Sequence, residues 1–260
     1  MSTTSRSTCS IVLAALSLFA SAAHSIAQTY TVTDLGTLSG NLVSKAYALN
    51  NAGEAAGTSS NPTAAIAVMF SGGKATSIST LGGSVSVATA INGSGEIVGW
   101  NFFYSNPNFD PQAFLYSNGS MKNINSPSLF PSGTEAWGIN SSGEVVGTGY
   151  LSSSNFHAFL YSGGQMKDIG PPGAYQASAV AINTSGQIVG GYSLTSGAAG
   201  EFLYSNGQMT TLPVPPGSNG VSAFAINDNG VIVGAVYFNS GAPAHAVSYT
   251  HLTLPTILRV

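Results

Sequence analysis

The chain has 260 residues, of which 6% are charged, against roughly 25% in an average soluble domain, and 43% are apolar. This composition excludes a coiled coil, a nucleic-acid binder with a basic stripe and a disordered segment, because each of these classes needs far more charge. Glycine accounts for 32 residues and accompanies many β-branched and aromatic residues. Such a mixture is typical of short strands joined by tight turns.

Residues 1–27 have the pattern of a signal peptide. Arg6 precedes an apolar run, Ile11–Ala23, and the small residues Ser25 and Ala27 suit a cleavage site before Gln28. The single cysteine, Cys9, precedes the run, so a lipid anchor is disfavoured and the mature chain contains no thiol for a disulfide or a metal ligand. We therefore expect a secreted or cell-surface protein.

The C-terminal residues 247–260 differ from everything before them. Val247–Thr256 resembles a sequencing adaptor translated in frame, residue by residue, and the following residues fit its continuation. We expect residues 247–260 to be a non-native tail and residues 28–246 to be a repeat domain truncated at its C-terminus; the alternative is a natural apolar strand. Residues 28–246 carry four lysines against nine acids, a net charge of −5, which disfavours nucleic acid and anionic membranes as partners.

Two motifs alternate along the chain. The first, Ala-x-Ala/Gly-Ile/Leu-Asn-x-x-Gly, occurs five times, and its asparagines are 42, 48, 43 and 44 residues apart. The second, a Phe-Leu-Tyr run with a Ser-Asn-Gly or Ser-Gly-Gly turn, lies between copies of the first, as in Ala158–Gly164. Self-similarity at this period predicts a repeat architecture.

Each repeat contains four strand signals with alternating or β-branched residues. They are illustrated by Ala179–Ile182, Gln187–Tyr192, His157–Tyr161 and Gln165–Ile169. In the Asn-x-x-Gly turns the asparagine can bond the backbone two residues on, and the glycine can take a positive φ, which we expect of Gly186 in particular. The predicted structural turn residues are Asn50, Gly53, Asn92, Gly95, Asn140, Gly143, Asn183, Gly186, Asn227 and Gly230.

Four antiparallel strands in about 44 residues predict an all-β fold, a β-propeller or propeller-like ring or arc of four-stranded blades. An open stack of four-stranded sheets is the alternative. We expect four complete repeats and one split repeat. Tyr30–Leu35 is expected to be an outermost strand that pairs with the last blade, and Val247–Tyr249 is expected to replace the missing Phe-Leu-Tyr strand if a five-bladed ring closes.

The segments HAFLYSGGQMKDIG (157–170) and AVAINTSGQIVGGY (179–192) resemble the HAF-repeat family of exported bacterial proteins. The resemblance covers essentially all of residues 28–246 and implies an extracellular location, but no particular chemistry. The sequence departs from the family pattern in its histidines. Only His157 and His245 are present, with Gln112 and Gly200 at the equivalent positions.

The sequence shows no group of residues typical of a catalytic, metal-binding or cofactor-binding site. We interpret His157 and His245 as strand residues, because other repeats lack them, and the recurring Glu54, Glu96 and Glu144 as solvated turn residues. The turn 227–230 lacks the further acids of a calcium loop. The chain is therefore predicted to use no cofactor and no metal.

Aromatic residues concentrate after the second strand of the repeats and in the links between repeats, where we expect variable loops on one face. These predicted binding residues are Trp100, Phe103, Tyr104, Tyr150, Tyr175 and Tyr192. They indicate a non-enzymatic binding module for a glycan or a cell-surface protein. The alternatives are a structural spacer and, least favoured, a hydrolase or lyase on a propeller scaffold.

Overall fold

A computed structural model describes residues 31–78, 81–103, 110–238 and 243–250. The chain divides into two units, Met1–Thr33 and Asp34–Val260. In the first unit the described residues 31–33 have no regular structure. The predicted signal peptide and the last ten residues of the predicted adaptor tail lie outside the described residues.

The second unit consists of antiparallel sheets that follow the sequence repeats, which confirms the predicted propeller-like fold. Its strands are β1 (Val43–Leu49), β2 (Ala55–Asn61), β3 (Ala64–Ser71), β4 (Lys74–Ser77), β5 (Val85–Ile91), β6 (Ile97–Phe102), β7 (Gln112–Ser117), β8 (Ser120–Asn123), β9 (Thr134–Ile139), β10 (Val145–Tyr150), β11 (Phe156–Ser162), β12 (Gln165–Asp168), β13 (Ala174–Ile182), β14 (Ile188–Leu194), β15 (Ala199–Ser205), β16 (Gln208–Thr211), β17 (Ser218–Ile226), β18 (Ile232–Phe238) and β19 (His245–Tyr249). Within the described ranges there is no helix, and so none that is long and apolar enough to cross a membrane.

Each group of four consecutive strands forms one blade in which neighbours in sequence pair antiparallel. Blades 1 to 4 are β1–β4, β5–β8, β9–β12 and β13–β16, and blade 5 has the three described strands β17–β19. Single parallel bridges, Ala65 with Val85 and Phe156 with Gln176, join blade 1 to blade 2 and blade 3 to blade 4. Each sequence repeat therefore forms one blade.

The turn between the first two strands of each blade is held by its asparagine. The Oδ1 atom of Asn140 accepts hydrogen bonds from the backbone N–H groups of Ser142 and Glu144, each at 3.0 Å. Gly143 closes this turn with a φ of +74°, and the expected positive φ of Gly186 is observed at the same value. Glycine is required there because a side chain is strained in the left-handed region.

Apolar clusters fill the spaces between consecutive blades. Phe159 in blade 3 is fully buried in a cluster that includes Val98, Ala113 and Ile124 of blade 2. Ile169 of blade 3 is equivalent to Ile124 of blade 2, and it likewise packs against the following blade, where it contacts the cluster containing Ile188. Burial of one such cluster per interface provides the main stabilisation of a chain without disulfides.

The predicted outermost strand at Tyr30–Leu35 is not observed. Tyr30 lies outside the described residues, and residues 31–38 form no strand. Leu35 and Leu38 nevertheless pack on Val68 and Phe70 of blade 1, as the residue ending a fourth strand does in the other blades. This segment therefore has the packing of a fourth strand without its pairing, because no third strand is paired with it among the described residues.

Residues 247–249 do occupy the place of the Phe-Leu-Tyr strand. In blade 5, Gly234 pairs with Val247 and Ile232 pairs with Tyr249. The equivalent pairs in blade 4 are Gly190 with Phe202 and Ile188 with Tyr204. The predicted substitution of this strand is observed, whereas strand pairing between blade 5 and residues 31–38 is absent from the part of the chain that the structure describes.

Candidate ligand-binding cavity

The first strand of every blade contains a β-bulge at the variable residue of the Ala-x-Ala/Gly motif. In blade 3, Ala136 pairs with Gly147 and Gly138 pairs with Val146, so Trp137 has no partner residue in the ladder. A bulge re-aims the side chain of its extra residue and is often found beside a functional site. The five bulge residues are Tyr47, Thr89, Trp137, Val180 and Phe224.

A glycine on the second strand permits this close pairing. A Cβ atom added to Gly147 would overlap the carbonyl oxygen of Glu135 and lie 2.8 Å from the Phe159 ring. Gly99 is placed in the same way against Val87 and Phe114. The bulge and the glycine opposite it therefore occur together in each blade.

Four of the bulge residues, from blades 1 to 4, line one cavity of about 790 Å³. Further aromatic side chains in its wall come from the second and third strands of blades 2 and 3. The cavity is lined by Tyr47, Val87, Thr89, Trp100, Glu135, Trp137, Thr148, Tyr150, Phe156, Ser178 and Val180. Apolar and aromatic walls with a few polar groups are typical of sites for small ligands.

A carboxyl and a phenol form the main polar pair of this cavity. The Tyr150 hydroxyl donates a hydrogen bond of 2.9 Å to Oε2 of Glu135, which is 7% exposed. Burial raises the pKa of Glu135, and the bond from Tyr150 opposes part of this rise. The pKa of Tyr150 is also raised, first by burial and then by the charge of Glu135. The pair is held in place and retains acceptor capacity for a ligand.

Two tryptophans differ in how their indole N–H groups are satisfied. Nε1 of Trp137 donates to Oγ1 of Thr148 at 3.2 Å, and this oxygen lies 2.6 Å from Oγ of Ser178. Nε1 of Trp100 is buried and has no hydrogen-bond partner among the described residues. A buried donor without a partner is costly, so the indole N–H of Trp100 is an unfavourable feature of this wall of the cavity.

The buried carboxyl predicts a pH dependence of stability. Because the pKa of Glu135 is raised on folding above 4.5, its contribution to stability is greatest below about pH 4.5 and is lost as the pH rises through the raised value. We expect the melting temperature of Glu135→Gln, relative to the parent, to increase between about pH 4 and pH 8. Thermal melts across this range test the prediction, and parallel profiles for the two proteins would contradict it.

A second cavity, of about 490 Å³, adjoins the first. Phe156, Ser178 and Val180 line both, and the second also contains Tyr192 and Glu201. Oε2 of Glu201 accepts a hydrogen bond from the Ala223 N–H at 3.1 Å, and burial raises the pKa of this carboxyl. The blade 4 side of these two cavities therefore also has an aromatic residue and a half-buried acid.

The structure brings together some of the predicted binding aromatics and separates others. Trp100 and Tyr150 line the first cavity and Tyr192 the second, whereas Tyr175 is 38% exposed and lines neither. Phe103 is half-buried directly after β6. Tyr104 lies outside the described residues.

The expectation that these aromatics lie on loops is wrong for four of them. Trp100, Tyr150, Tyr175 and Tyr192 lie within strands, because the second strand continues past its glycine and the first strand of blade 4 begins earlier than predicted. The sequence patterns did not assign Tyr47, Trp137 or Glu135 to the predicted binding residues. The available signal was a varied and mostly bulky residue between the two small residues of the motif.

Other candidate residues have structural partners. Nδ1 of His157 lies 2.7 Å from Oδ2 of Asp168 and Nε2 lies 3.1 Å from the Ala174 carbonyl oxygen, so this histidine links three strands. His245 is exposed and its ring contacts Phe238. Among the described residues, no group of three His, Cys, Asp or Glu side chains could hold a metal ion.

The recurring glutamates are not simply solvated, which corrects the prediction for them. Glu96 is half-buried, and its carboxylate accepts hydrogen bonds from Nδ2 of Asn92 at 2.7 Å and from Oγ of Ser117 at 3.0 Å. Glu144 has the same partners in blade 3, Asn140 and Ser162. These acids therefore fix the turn asparagine.

No protein-family model matches the chain, and no curated protein matches it. Among solved structures, TolB from Acinetobacter baumannii is similar over 76% of this chain at 15% identity and a TM-score of 0.52, and the chain spans 50% of that protein. A protein described as TolB from Agrobacterium tumefaciens is similar over 80% of this chain and 77% of its own length, at 10% identity and a TM-score of 0.54. The β-propeller domain of a protease from Pyrococcus furiosus, described as having an open velcro topology, has a TM-score of 0.42 at 11% identity, with 84% of each chain covered. At these identities the likeness to the two TolB structures shows the fold alone.

Proposed function

We propose that this chain is an exported binding module that recognises a glycan in the aromatic cavity of about 790 Å³. The observation that supports the proposal most directly is the convergence of bulge residues from four blades on one cavity. A repeat that served only as a spacer would not need varied and mostly bulky side chains at this position.

The chemistry of the cavity suits a sugar ring. A pyranose presents an apolar C–H face and an equatorial rim of hydroxyls. Trp100 and Trp137 offer flat apolar surfaces, and the Glu135 carboxyl offers an acceptor for a hydroxyl.

The proposed location rests on the sequence. The signal-peptide pattern of residues 1–27 and the resemblance to HAF-repeat proteins both support export, where glycans and cell-surface molecules are available as ligands. We propose membership of that family on the same two motifs.

A glycan array tests the function with three variants. We expect the parent to bind one class of oligosaccharide, and Trp137→Ala and Trp100→Ala to lose at least about tenfold in affinity, since each removes an apolar surface whose burial contributes roughly 1.5–3 kcal/mol. Tyr175→Ala is the matched control, because Tyr175 is an aromatic strand residue outside both cavities. We expect this control to bind as the parent does.

Two results would contradict the proposal. Absence of binding by the parent to any glycan would favour the spacer alternative. Equal binding by the parent and both tryptophan variants would remove the cavity as the site.

A further inference from the structure

The two adjoining cavities meet at a pair of small residues in blade 4. Ser178 pairs with Gly191 there, at the positions that Val87 and Trp100 occupy in blade 2. Ser178 lines both cavities, and its Oγ lies 2.6 Å from Oγ1 of Thr148 in the wall of the first. Blade 4 therefore lacks the bulk that a tryptophan provides at this position in blade 2, and both cavities extend to the same serine.

A second glycine in the second strand of blade 4 provides space for the polar groups of the second cavity. Gly191 follows Gly190, whereas the other blades have a larger residue after the corresponding glycine, namely Thr58, Trp100, Thr148 and Ala235. A Cβ atom added to Gly191 would lie 2.8 Å from Oε1 of Glu201, and one added to Gly200 would lie 3.1 Å from the Tyr192 hydroxyl. The two glycines therefore permit Glu201 and Tyr192 to occupy the wall of the second cavity.

The charged groups that line the two cavities have one sign. Glu135 lines the first and Glu201 the second, and no lysine, arginine or histidine of the described residues lines either. Lys45, at the position of Glu135 in blade 1, is exposed and lines neither cavity. One oxygen of each carboxyl accepts a hydrogen bond within the protein, and the other has no hydrogen bond in the described ranges. The free oxygens can accept bonds from hydroxyl groups, whereas an acidic group of a ligand would be repelled.

We infer that the ligand is a chain of at least two uncharged sugar units, with one unit in the first cavity and the next in the second; this inference rests on the proposed glycan function. Each cavity is within the range of roughly 300–1,000 Å³ that is typical of a small-molecule site. Each also supplies an aromatic residue and an acceptor carboxyl, Trp137 and Glu135 in the first and Tyr192 and Glu201 in the second. A second unit of the same ligand gains contacts without a second loss of translational freedom, so a longer chain binds more tightly.

Calorimetric titration with mono- to tetrasaccharides tests this inference on the parent protein. The probes are neutral oligomers of glucose, mannose, galactose and N-acetylglucosamine, and oligomers of galacturonic and mannuronic acid of the same lengths. We expect the affinity for a neutral series to increase at least about tenfold from the monosaccharide to the trisaccharide. We expect the acidic oligomers to bind at least about tenfold more weakly than neutral ones of equal length.

Two variants assign the effects to the second cavity. Tyr192→Ala is expected to bind the monosaccharide as the parent does and to lose the increase with chain length, because Tyr192 lines the second cavity only. Glu201→Gln keeps an acceptor for the Ala223 N–H and is expected to bind the acidic oligomers several-fold more tightly than the parent does. Tyr175→Ala, outside both cavities, is the matched control and is expected to reproduce the parent in every titration. Circular dichroism establishes that the variants are folded.

The outcomes separate this inference from the proposed function. Equal affinity of the parent for monosaccharides and trisaccharides, equal binding of neutral and acidic oligomers, or an unchanged length dependence in Tyr192→Ala would overturn the inference and leave glycan binding in place. Absence of binding to every oligomer would overturn both.

Discussion

Replacement of Gly147 by alanine is expected to lower the free energy of unfolding by about 3 kcal/mol or more, close to the upper end of single-residue effects. The added Cβ would overlap the backbone oxygen of Glu135, and it would lie within 3 Å of two ring atoms of the buried Phe159. Neither neighbour can move away freely, because the oxygen belongs to a paired strand and the ring fills the core between blades 2 and 3. Denaturant unfolding of the two proteins measures the difference.

Gly220→Ala is the control for this substitution. Gly220 also lies in a strand, β17, but a Cβ added there has no atom within 4 Å outside the adjacent residues. We expect a change within about 1 kcal/mol, which alanine's lower freedom in the unfolded chain can make favourable. Similar losses for Gly147→Ala and Gly220→Ala would show that the close approach at the bulge does not limit stability.

The fold was predictable because its determinants are local and repeated. An Asn-x-x-Gly turn specifies a hairpin within five residues, and its recurrence at 42 to 48 residues specifies the number of strands between turns. Asn140 and Gly143 show this directly, since the bonds and the positive φ that the turn requires involve only neighbouring residues.

The candidate cavity was only partly predictable because the bulge is a property of two strands together. By alternation alone, Trp137 points away from the face occupied by Ala136 and Gly138, and nothing in its own strand indicates an extra residue. The bulge arises from pairing with Gly147 on the next strand. The lengths of the second strands had the same origin, since Tyr150 belongs to a strand because it pairs with Phe156.

The turn asparagines are expected to show how strongly consecutive blades are coupled. Asn140 is 3% exposed and makes four hydrogen bonds, two that its Oδ1 accepts within the turn and two that its Nδ2 donates to the Glu144 carboxylate and the Asn183 carbonyl. Asn140→Ala removes all four, three of them within its own turn and one to the Asn183 carbonyl, which keeps its bond from Gly186. We expect a loss of about 3–4 kcal/mol, since each hydrogen bond contributes roughly 0.5–1.5 kcal/mol and the effects overlap.

Asn227→Ala tests the hydrogen bonds within a turn separately from the hydrogen bonds between blades. Asn227 accepts the same two backbone bonds, from Asn229 and Val231, but it is exposed, and no bond from its Nδ2 to another blade is present in the described part of the chain. We expect a loss of about 1–2 kcal/mol, because water replaces the lost partners there. The difference between the two variants then measures the two Nδ2 bonds of Asn140, one to Glu144 and one to the Asn183 carbonyl of the next blade. Equal losses would show that these Nδ2 bonds contribute nothing to stability.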